Sequence, residues 1–346
     1  MTNPDINYGS DRNGLVWGYY FAPGAPPRDI GCDEAQSVLG GDGEGRGGFA
    51  WLHFSLANSA SERWVRQHVS PPDDFIPSLH EAAASTRLEL DGDDLIATMH
   101  DVLFEFAFDP GHLSTVGLFV RRNLVISMRL RPLRSVDRLR ADVRAGTTFA
   151  SPVELLAQLL QDQARVLVDI TRQATRRVDV IEDNLLKQRV AVSRSELGTL
   201  RRLLVRLQRL LAPEPGALFR LLARPPEWIH EDDVGRLREA AEELAAAVTD
   251  CAALVERARL IQEELGAYLS ETTNRTLFLL TWVTVLALPF NVIGSLLGMN
   301  VGGVPFSNAP HGFVVIVLFV AVLTAIAVKV VRRAGWFRDT QVEAGR

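Results

Sequence analysis

The stretch that decides the fold is TLFLLTWVTVLALPFNVIGSLLGMN, residues 276–300, which carries no charged side chain. Its part from residue 277 to residue 297 has about the 20 residues that an α-helix needs to cross the hydrocarbon core of a bilayer. A second apolar run, GFVVIVLFVAVLTAIAVKVV, covers residues 312–331, and its only charge, Lys329, lies near its end. Two such runs predict two membrane-spanning helices rather than the core helices of a soluble protein.

Basic residues flank the two runs on their outer sides, whereas the loop between them, residues 298–311, has no Lys or Arg. The flanking basic residues are Arg257, Arg259, Arg275, Lys329, Arg332, Arg333 and Arg338. The positive-inside rule then predicts a multi-pass protein of the cytoplasmic membrane with both termini in the cytoplasm and the loop outside. Trp336 and Phe337 fit an interfacial anchor. No basic segment followed by an apolar stretch begins the chain, so we expect no cleaved secretory signal.

Composition excludes several classes of protein. The 346 residues suffice for two or more structural units, and a net charge of −5 argues against nucleic-acid binding. Two distant cysteines, Cys32 and Cys251, predict neither a disulfide framework nor a thiolate zinc cluster. The glycine-rich stretch 40–48 lacks the spacing of a phosphate loop, and no nucleophile–base set is recognisable. We therefore expect neither an enzyme nor a bound cofactor.

The part before the membrane divides into an α/β domain, residues 1–150, and a helical part. Short β-rich runs occupy residues 15–22, 48–56, 102–108, 114–120 and 124–130. The last two runs are separated by only three residues, which predicts a tight hairpin. Residues 91–94, DGDD, together with His100-Asp101, allow a divalent ion between subunits or simply a solvated turn, so we assign no metal site there.

From Ser151 onward the pattern is helical. Ser151 suits a helix cap and Pro152 a first helical position, and the helical composition breaks at residues 212–216. Arg202, Arg206 and Arg209 share a face that either pairs with the acidic stretch 231–244 or is solvated independently. Apolar residues then recur as in a coiled-coil seam, and nothing interrupts one helix of about 65 residues from Glu231 to Leu297. The seam residues are Leu237, Leu244, Val248, Cys251, Leu254, Ala258, Ile261 and Leu265.

A polar stripe marks one face of the first apolar run. Its members, with two leucines that complete the three–four rhythm, are Asn274, Leu277, Thr281, Thr284, Leu288, Asn291 and Ser295. Polar groups in lipid are costly, so this stripe should face protein or water. It either joins helices to each other or lines a pore formed by several copies. Pro289 frees the carbonyl of Val285, which fits a packing kink or an ion contact equally.

The motif Gly298-Met299-Asn300 follows the first span directly. GMN at the outer end of the penultimate of two C-terminal spans, after a charged α/β domain and a long helix, resembles the CorA superfamily of metal-ion transporters. The continuation VGGVP, residues 301–305, is similar to the ZntB-like zinc transporter branch. The resemblance implies an α+β cytoplasmic domain, long α-helices and two transmembrane helices assembled as a funnel-shaped homopentamer. It also implies a pore mouth formed by Gly298, Met299 and Asn300 and a pore lined by the stripe residues.

The same resemblance implies the transported ion and the division of the chain. Zn²⁺ is the transported ion that it implies first, and Mg²⁺, Co²⁺, Ni²⁺ and Cd²⁺ are other ions. The alternatives for the mechanism are zinc transport coupled to H⁺ and a passive Mg²⁺/Co²⁺ channel. No Asp or Glu lies between residues 298 and 331, so the mouth offers only neutral dipoles to a hydrated cation. His311 either senses ions or protons or is an ordinary interfacial residue. The expected segments are the α/β domain 1–150, funnel helices 151–275, pore helix 276–297, external loop 298–311, second span 312–331 and basic tail 332–346. A membrane-anchored interaction protein is the alternative from another class.

Overall fold

The computed structural model describes residues 9–40, 47–80, 86–186, 190–299 and 310–333. The chain forms two compact units, Met1–Leu265 and Gly266–Arg346. The strands of the first unit are β1 (Leu15–Phe21), β2 (Arg28–Asp29), β3 (Phe49–Ser55), β4 (Arg87–Asp91), β5 (Asp94–Val102), β6 (Leu113–Arg121) and β7 (Leu124–Arg129). Its helices begin with α1 (Cys32–Gly40), α2 (Ser59–His68), α3 (Phe75–His80) and α4 (Arg134–Arg144). Longer helices follow as α5 (Pro152–Leu186), α6 (Val190–Leu211), α7 (Pro213–Leu222), α8 (Glu231–Leu297) and α9 (Gly312–Arg333).

One mixed sheet organises the α/β domain. Its strand order in the described residues is β2-β1-β3-β7-β6-β5-β4, and only β3 and β7 run parallel. The predicted strands at 15–22, 48–56, 114–120 and 124–130 are confirmed. So is the hairpin, because Arg121 pairs with Leu124 across a two-residue turn. The parallel pair needs a long connection, and β4, β5 and β6 supply it.

The sequence-based interpretation of two other segments was wrong or incomplete. Residues 102–108 are not a strand, because β5 ends at Val102 and Phe108 has a φ of 57°, which is outside the extended region. The acidic stretch 91–94 is the turn of a β4–β5 hairpin, where Asp91 pairs with Asp94. Gly92 adopts a φ of 61° in that turn, as tight hairpin turns require.

Both faces of the sheet are covered, so the domain has three layers. One face, with Trp17 and Trp51, packs against α4, α5, α7 and the start of α8. The other face, with Leu52 and Phe119, packs against α1, α2 and α3 through side chains such as Trp64. Strands with apolar residues on both faces follow from this burial, which explains why β3 is buried along its whole length.

The helices α5, α6 and α8 pack together through a separate apolar cluster. Ser151 caps α5, since its Oγ accepts the N–H of Glu154 at 2.9 Å. The break predicted at residues 212–216 is narrower than expected, because α7 begins at Pro213, directly after α6 ends at Leu211. Proline at a first helical position loses no intrahelical hydrogen bond, so the chain turns and continues as helix.

The predicted seam on α8 is confirmed. Seven of its residues are buried, and Val248 is partly buried against the same clusters. The arginine face of α6 is solvated independently: among the described residues no ion pair joins Arg202, Arg206 or Arg209 to the stretch 231–244. Arg236 of that stretch instead pairs with Glu154 of α5.

The second unit consists of the last part of α8 together with α9. The predicted uninterrupted helix is confirmed, because α8 has 67 residues and runs through Pro289. By length and composition α8 is apolar enough to cross a membrane, and it is the only such helix in the described ranges. The apolar segment of α9, Gly312–Ile326, is shorter than a full span, so the second membrane-spanning helix stays a prediction.

Candidate functional site

The last part of α8 differs sharply from the part before it. Its buried side chains end at Leu265, and the apolar residues beyond that point are exposed or only partly buried. Leu277 is 57% exposed and Leu288 61% exposed, although both belong to an uncharged segment. A surface of this kind requires an apolar environment, either lipid or other protein surfaces.

The predicted stripe residues lie on one face of this exposed segment. At 100° per residue, the stripe residues Asn274, Leu277, Thr281, Thr284, Leu288, Asn291 and Ser295 span an arc of about 100°. All seven are exposed. The structure therefore brings them together as one continuous strip along the helix.

Both threonines of the stripe donate their hydroxyl hydrogen to the backbone of the helix. Thr281 Oγ1 donates to the carbonyl of Leu277 at 2.9 Å, and Thr284 Oγ1 donates to the carbonyl of Leu280 at 2.9 Å. Each hydroxyl hydrogen thus lies against the helix, and the oxygen lone pairs remain as outward acceptors. These lone pairs can accept hydrogen bonds from the water molecules around a cation.

The end of α8 is shaped by glycine. Gly298 donates its N–H to the carbonyl of Gly294 at 2.9 Å, directly after the helix ends at Leu297. A Cβ on Gly298 would lie 3.1 Å from that carbonyl oxygen, so a larger residue would crowd the turn. Met299 is exposed, and Asn300 lies outside the described residues, as does most of the predicted external loop.

Two other features flank the segment. Pro289 has no N–H, so the carbonyl of Val285 lacks its usual intrahelical donor. His311 is exposed and its carbonyl accepts the N–H of Val315 in the first turn of α9.

The α/β domain holds a buried polar cluster that the sequence did not reveal. Glu214 of α7 accepts the backbone N–H of His100 at 2.8 Å and an amide N–H of Gln163 at 2.6 Å. Gln163 also donates to the carbonyl of His100 at 2.6 Å. Burial raises the pKa of Glu214, and the hydrogen bonds from His100 oppose that rise. The cluster joins β5 to α5 and α7.

Asp101 of β5 connects this strand to α4. Its carboxylate accepts the backbone N–H of Ser135 at 2.8 Å and the hydroxyl of Ser135 at 2.9 Å, so it holds the first turn of α4. Burial raises the pKa of Asp101 to about 7, while the bonds from Ser135 lower it. The ion-binding alternative for His100-Asp101 gains no support here, because the described residues contain no group of three or more His, Cys, Asp or Glu that could hold a metal.

The structure thus combines a mixed α/β domain, long packed helices and a helix that is apolar enough to cross a membrane and carries an uncharged polar face. Comparison with known proteins identifies the family of this chain. Residues 46–333 match the family described as CorA-like Mg²⁺ transporter protein, and the chain belongs to that family. It is a divalent cation transporter.

Individual relatives cover most of the chain. The divalent cation transporter CmaX of Pseudomonas aeruginosa is 29% identical over 331 residues, which are 94% of this chain and 98% of the relative. The zinc transport protein ZntB of Pectobacterium carotovorum is 27% identical over 289 residues, which are 83% of this chain and 87% of the relative. The predicted relationship to the CorA superfamily and its ZntB-like branch is confirmed.

Solved structures share the fold. The structure of full-length CmaX matches with a TM-score of 0.75 and 26% identity, over 94% of this chain and 98% of that chain. The CorA magnesium transporter of Methanocaldococcus jannaschii matches with a TM-score of 0.73 and 18% identity, over 92% of this chain and 98% of that chain. The α/β domain followed by long C-terminal helices is therefore the CorA and CmaX fold.

Proposed function

We propose that this chain transports Zn²⁺ across the cytoplasmic membrane, through a central pore lined by the stripe of α8. The observation that carries the proposal is the strip of uncharged polar side chains on an otherwise apolar, exposed helix. An anchor helix needs no such strip, because lipid penalises polar groups that have no protein or water partner. The competing idea of a membrane-anchored interaction protein leaves the strip unexplained.

The pore requires several copies of the chain. Two spanning helices cannot enclose a pathway, so α8 of each copy must contribute one wall, with α9 outside it. A homopentamer is the assembly that the resemblance to the superfamily implies. The exposed stripe supports an assembly of this kind, since copies around an axis would turn these faces toward water in the pore. In this arrangement both termini are cytoplasmic, and Lys329 and Arg275 lie on the inner side.

The mouth of the pore is formed by Gly298, Met299 and Asn300. Five amide oxygens would present dipoles without fixed charge, which suits a divalent cation that keeps its water shell. The next polar rings along the pathway are those of Ser295 and Asn291, then Thr284 and Thr281, and Asn274 lies at the inner entrance. Because the chain has no Asp or Glu between residues 298 and 331, the ion meets no carboxylate that would hold it tightly.

The choice of zinc rests on the similarity to ZntB proteins and on the VGGVP stretch, residues 301–305. A passive Mg²⁺ or Co²⁺ channel is the second candidate, because the family that matches is described as one of Mg²⁺ transporters. The zinc proposal includes coupling to protons. The neutral mouth does not attract the cation electrostatically, so a proton gradient would supply the driving force. Ni²⁺ and Cd²⁺ are the further ions that such a site admits.

The test uses the full-length protein in liposomes loaded with a zinc-sensitive dye. We expect zinc uptake that increases when an inward proton gradient is imposed and that persists in excess external Mg²⁺. Uptake that ignores the gradient and is competed by Mg²⁺ would favour the passive magnesium channel. Absence of flux for every divalent ion, in liposomes that contain folded protein, would overturn the transport proposal.

A further inference from the structure

A second candidate site lies in the α/β domain, between β1 and α4. A solvent-open cavity of about 480 Å³ is lined there by residues of β1 and α4 and of the segments 9–11 and 29–30. The side chains that matter are Asp11, Trp17, Asp29, Arg140 and Arg144. This volume lies within the range of about 300–1,000 Å³ that small-molecule sites occupy.

Trp17 forms the inner wall of the cavity. It is 6% exposed, its ring stacks on His53 with the ring centroids 3.9 Å apart, and the Arg140 guanidinium carbon lies 4.2 Å from its ring centroid. His53 is fully engaged, since it contacts Ser127 Oγ at 2.7 Å and accepts from Arg129 Nε at 2.6 Å. The aromatic wall is therefore held rigidly in place.

Two buried donors in this wall have no acceptor. In the described part of the protein, neither Trp17 Nε1 nor Arg140 Nε makes a hydrogen bond. A buried donor left without an acceptor costs free energy, and proteins normally avoid it. Both nitrogens are shielded from solvent, so they lie behind the wall of the cavity and not on its surface.

The charged residues that line the cavity are two arginines and two acids. Arg140 and Arg144 lie one turn apart on α4, and within the described residues neither forms an ion pair. The carboxylate close to them, Asp137, pairs with Arg129 at 3.7 Å. Two acids also line the cavity. Asp11 accepts the N–H groups of Asn13 and Leu15 in its own turn, and Asp29 is exposed on β2.

We propose that this cavity binds a small phosphate-bearing anion, held by the two α4 arginines. Guanidinium groups bind phosphate through planar, charge-assisted hydrogen bonds. The volume admits a phosphate monoester with an organic group as well as inorganic phosphate. The site is independent of the pore and of the proposed ion.

The experiment is isothermal titration calorimetry of the full-length protein in detergent, at low ionic strength, with inorganic phosphate and then with adenosine monophosphate. We expect binding of at least one probe, weakened about tenfold or more in Arg144→Gln and further in Arg140→Gln/Arg144→Gln. Arg122→Gln is the matched control, because it removes one positive charge from the exposed β6–β7 turn. It should bind as the wild type does.

The thermal unfolding midpoint is measured for each variant, and we expect Arg144→Gln to unfold at the same midpoint as the wild type. Tighter binding of the monophosphate than of phosphate identifies an esterified ligand, and the reverse order identifies the free ion. No heat with either probe, or equal affinities in wild type, Arg122→Gln and Arg144→Gln, would overturn the proposal.

Discussion

Asn300→Ala is expected to reduce zinc uptake into liposomes by about 100-fold, which corresponds to ~2.7 kcal/mol of added barrier. The change removes a ring of amide oxygens from the proposed mouth, where a hydrated ion would exchange contacts with bulk water for contacts with protein dipoles. Alanine offers no acceptor, and the loop around it has no charged residue that could compensate. The measurement is the initial rate of dye response at equal protein density in the liposomes.

The matched control is Asn308→Ala, which removes the same amide group from the same uncharged loop but outside the GMN motif. We expect it to transport at the wild-type rate. An equal loss in both variants would show that the loop needs amide groups for its folding and not for a mouth at residue 300. Normal transport by Asn300→Ala would contradict the assignment of the mouth.

The second large effect is expected for Thr281→Val/Thr284→Val. Valine preserves the shape of threonine, so the helix keeps its packing, while two rings of outward oxygen acceptors become apolar. An apolar constriction resists a hydrated ion, and we expect the flux to fall by about tenfold or more, ~1.4 kcal/mol. The measurement is again the initial rate of zinc uptake.

Thr324→Val is the control for this pair. Thr324 of α9 donates its hydroxyl to the carbonyl of Val320 at 2.7 Å, so it has the same local bond as Thr281 and Thr284 but belongs to the other apolar helix. Its loss should leave the flux unchanged. If the flux fell equally in Thr324→Val, the effect would come from the loss of helix–hydroxyl bonds, and the stripe would not be the pathway.

Local patterns predicted much of this fold. The spacing of Leu244, Cys251 and Leu254 predicted the buried seam of α8, because a long helix must bury one stripe against its neighbours. The two runs of β6 and β7 predicted their hairpin, since only a short turn separates them. The polar stripe was also visible from spacing alone, because the 3.6-residue period places its members on one face.

The features that sequence analysis missed depend on distant contacts. Glu214 and His100 are 114 positions apart, and no local pattern indicates that they share a buried cluster. Arg140 contacts Trp17 across a similar separation, so the cavity beside β1 becomes visible only when α4 is packed on the sheet. The wrong prediction of a strand at residues 102–108 has the same cause. The phenylalanines of this segment are typical of strands, yet the chain leaves the sheet there.

The central claim is that the stripe of α8 faces the ion pathway, and cysteine accessibility tests it most directly. Cys32 and Cys251 are 3% and 0% exposed, so a charged, water-soluble thiol reagent should meet mainly an introduced cysteine. Asn291→Cys places a thiol on the stripe, and Ile293→Cys places one about 200° around the same helix. We predict that the reagent blocks zinc flux through Asn291→Cys and leaves Ile293→Cys unaffected. Block at residue 293 with none at residue 291 would contradict the account.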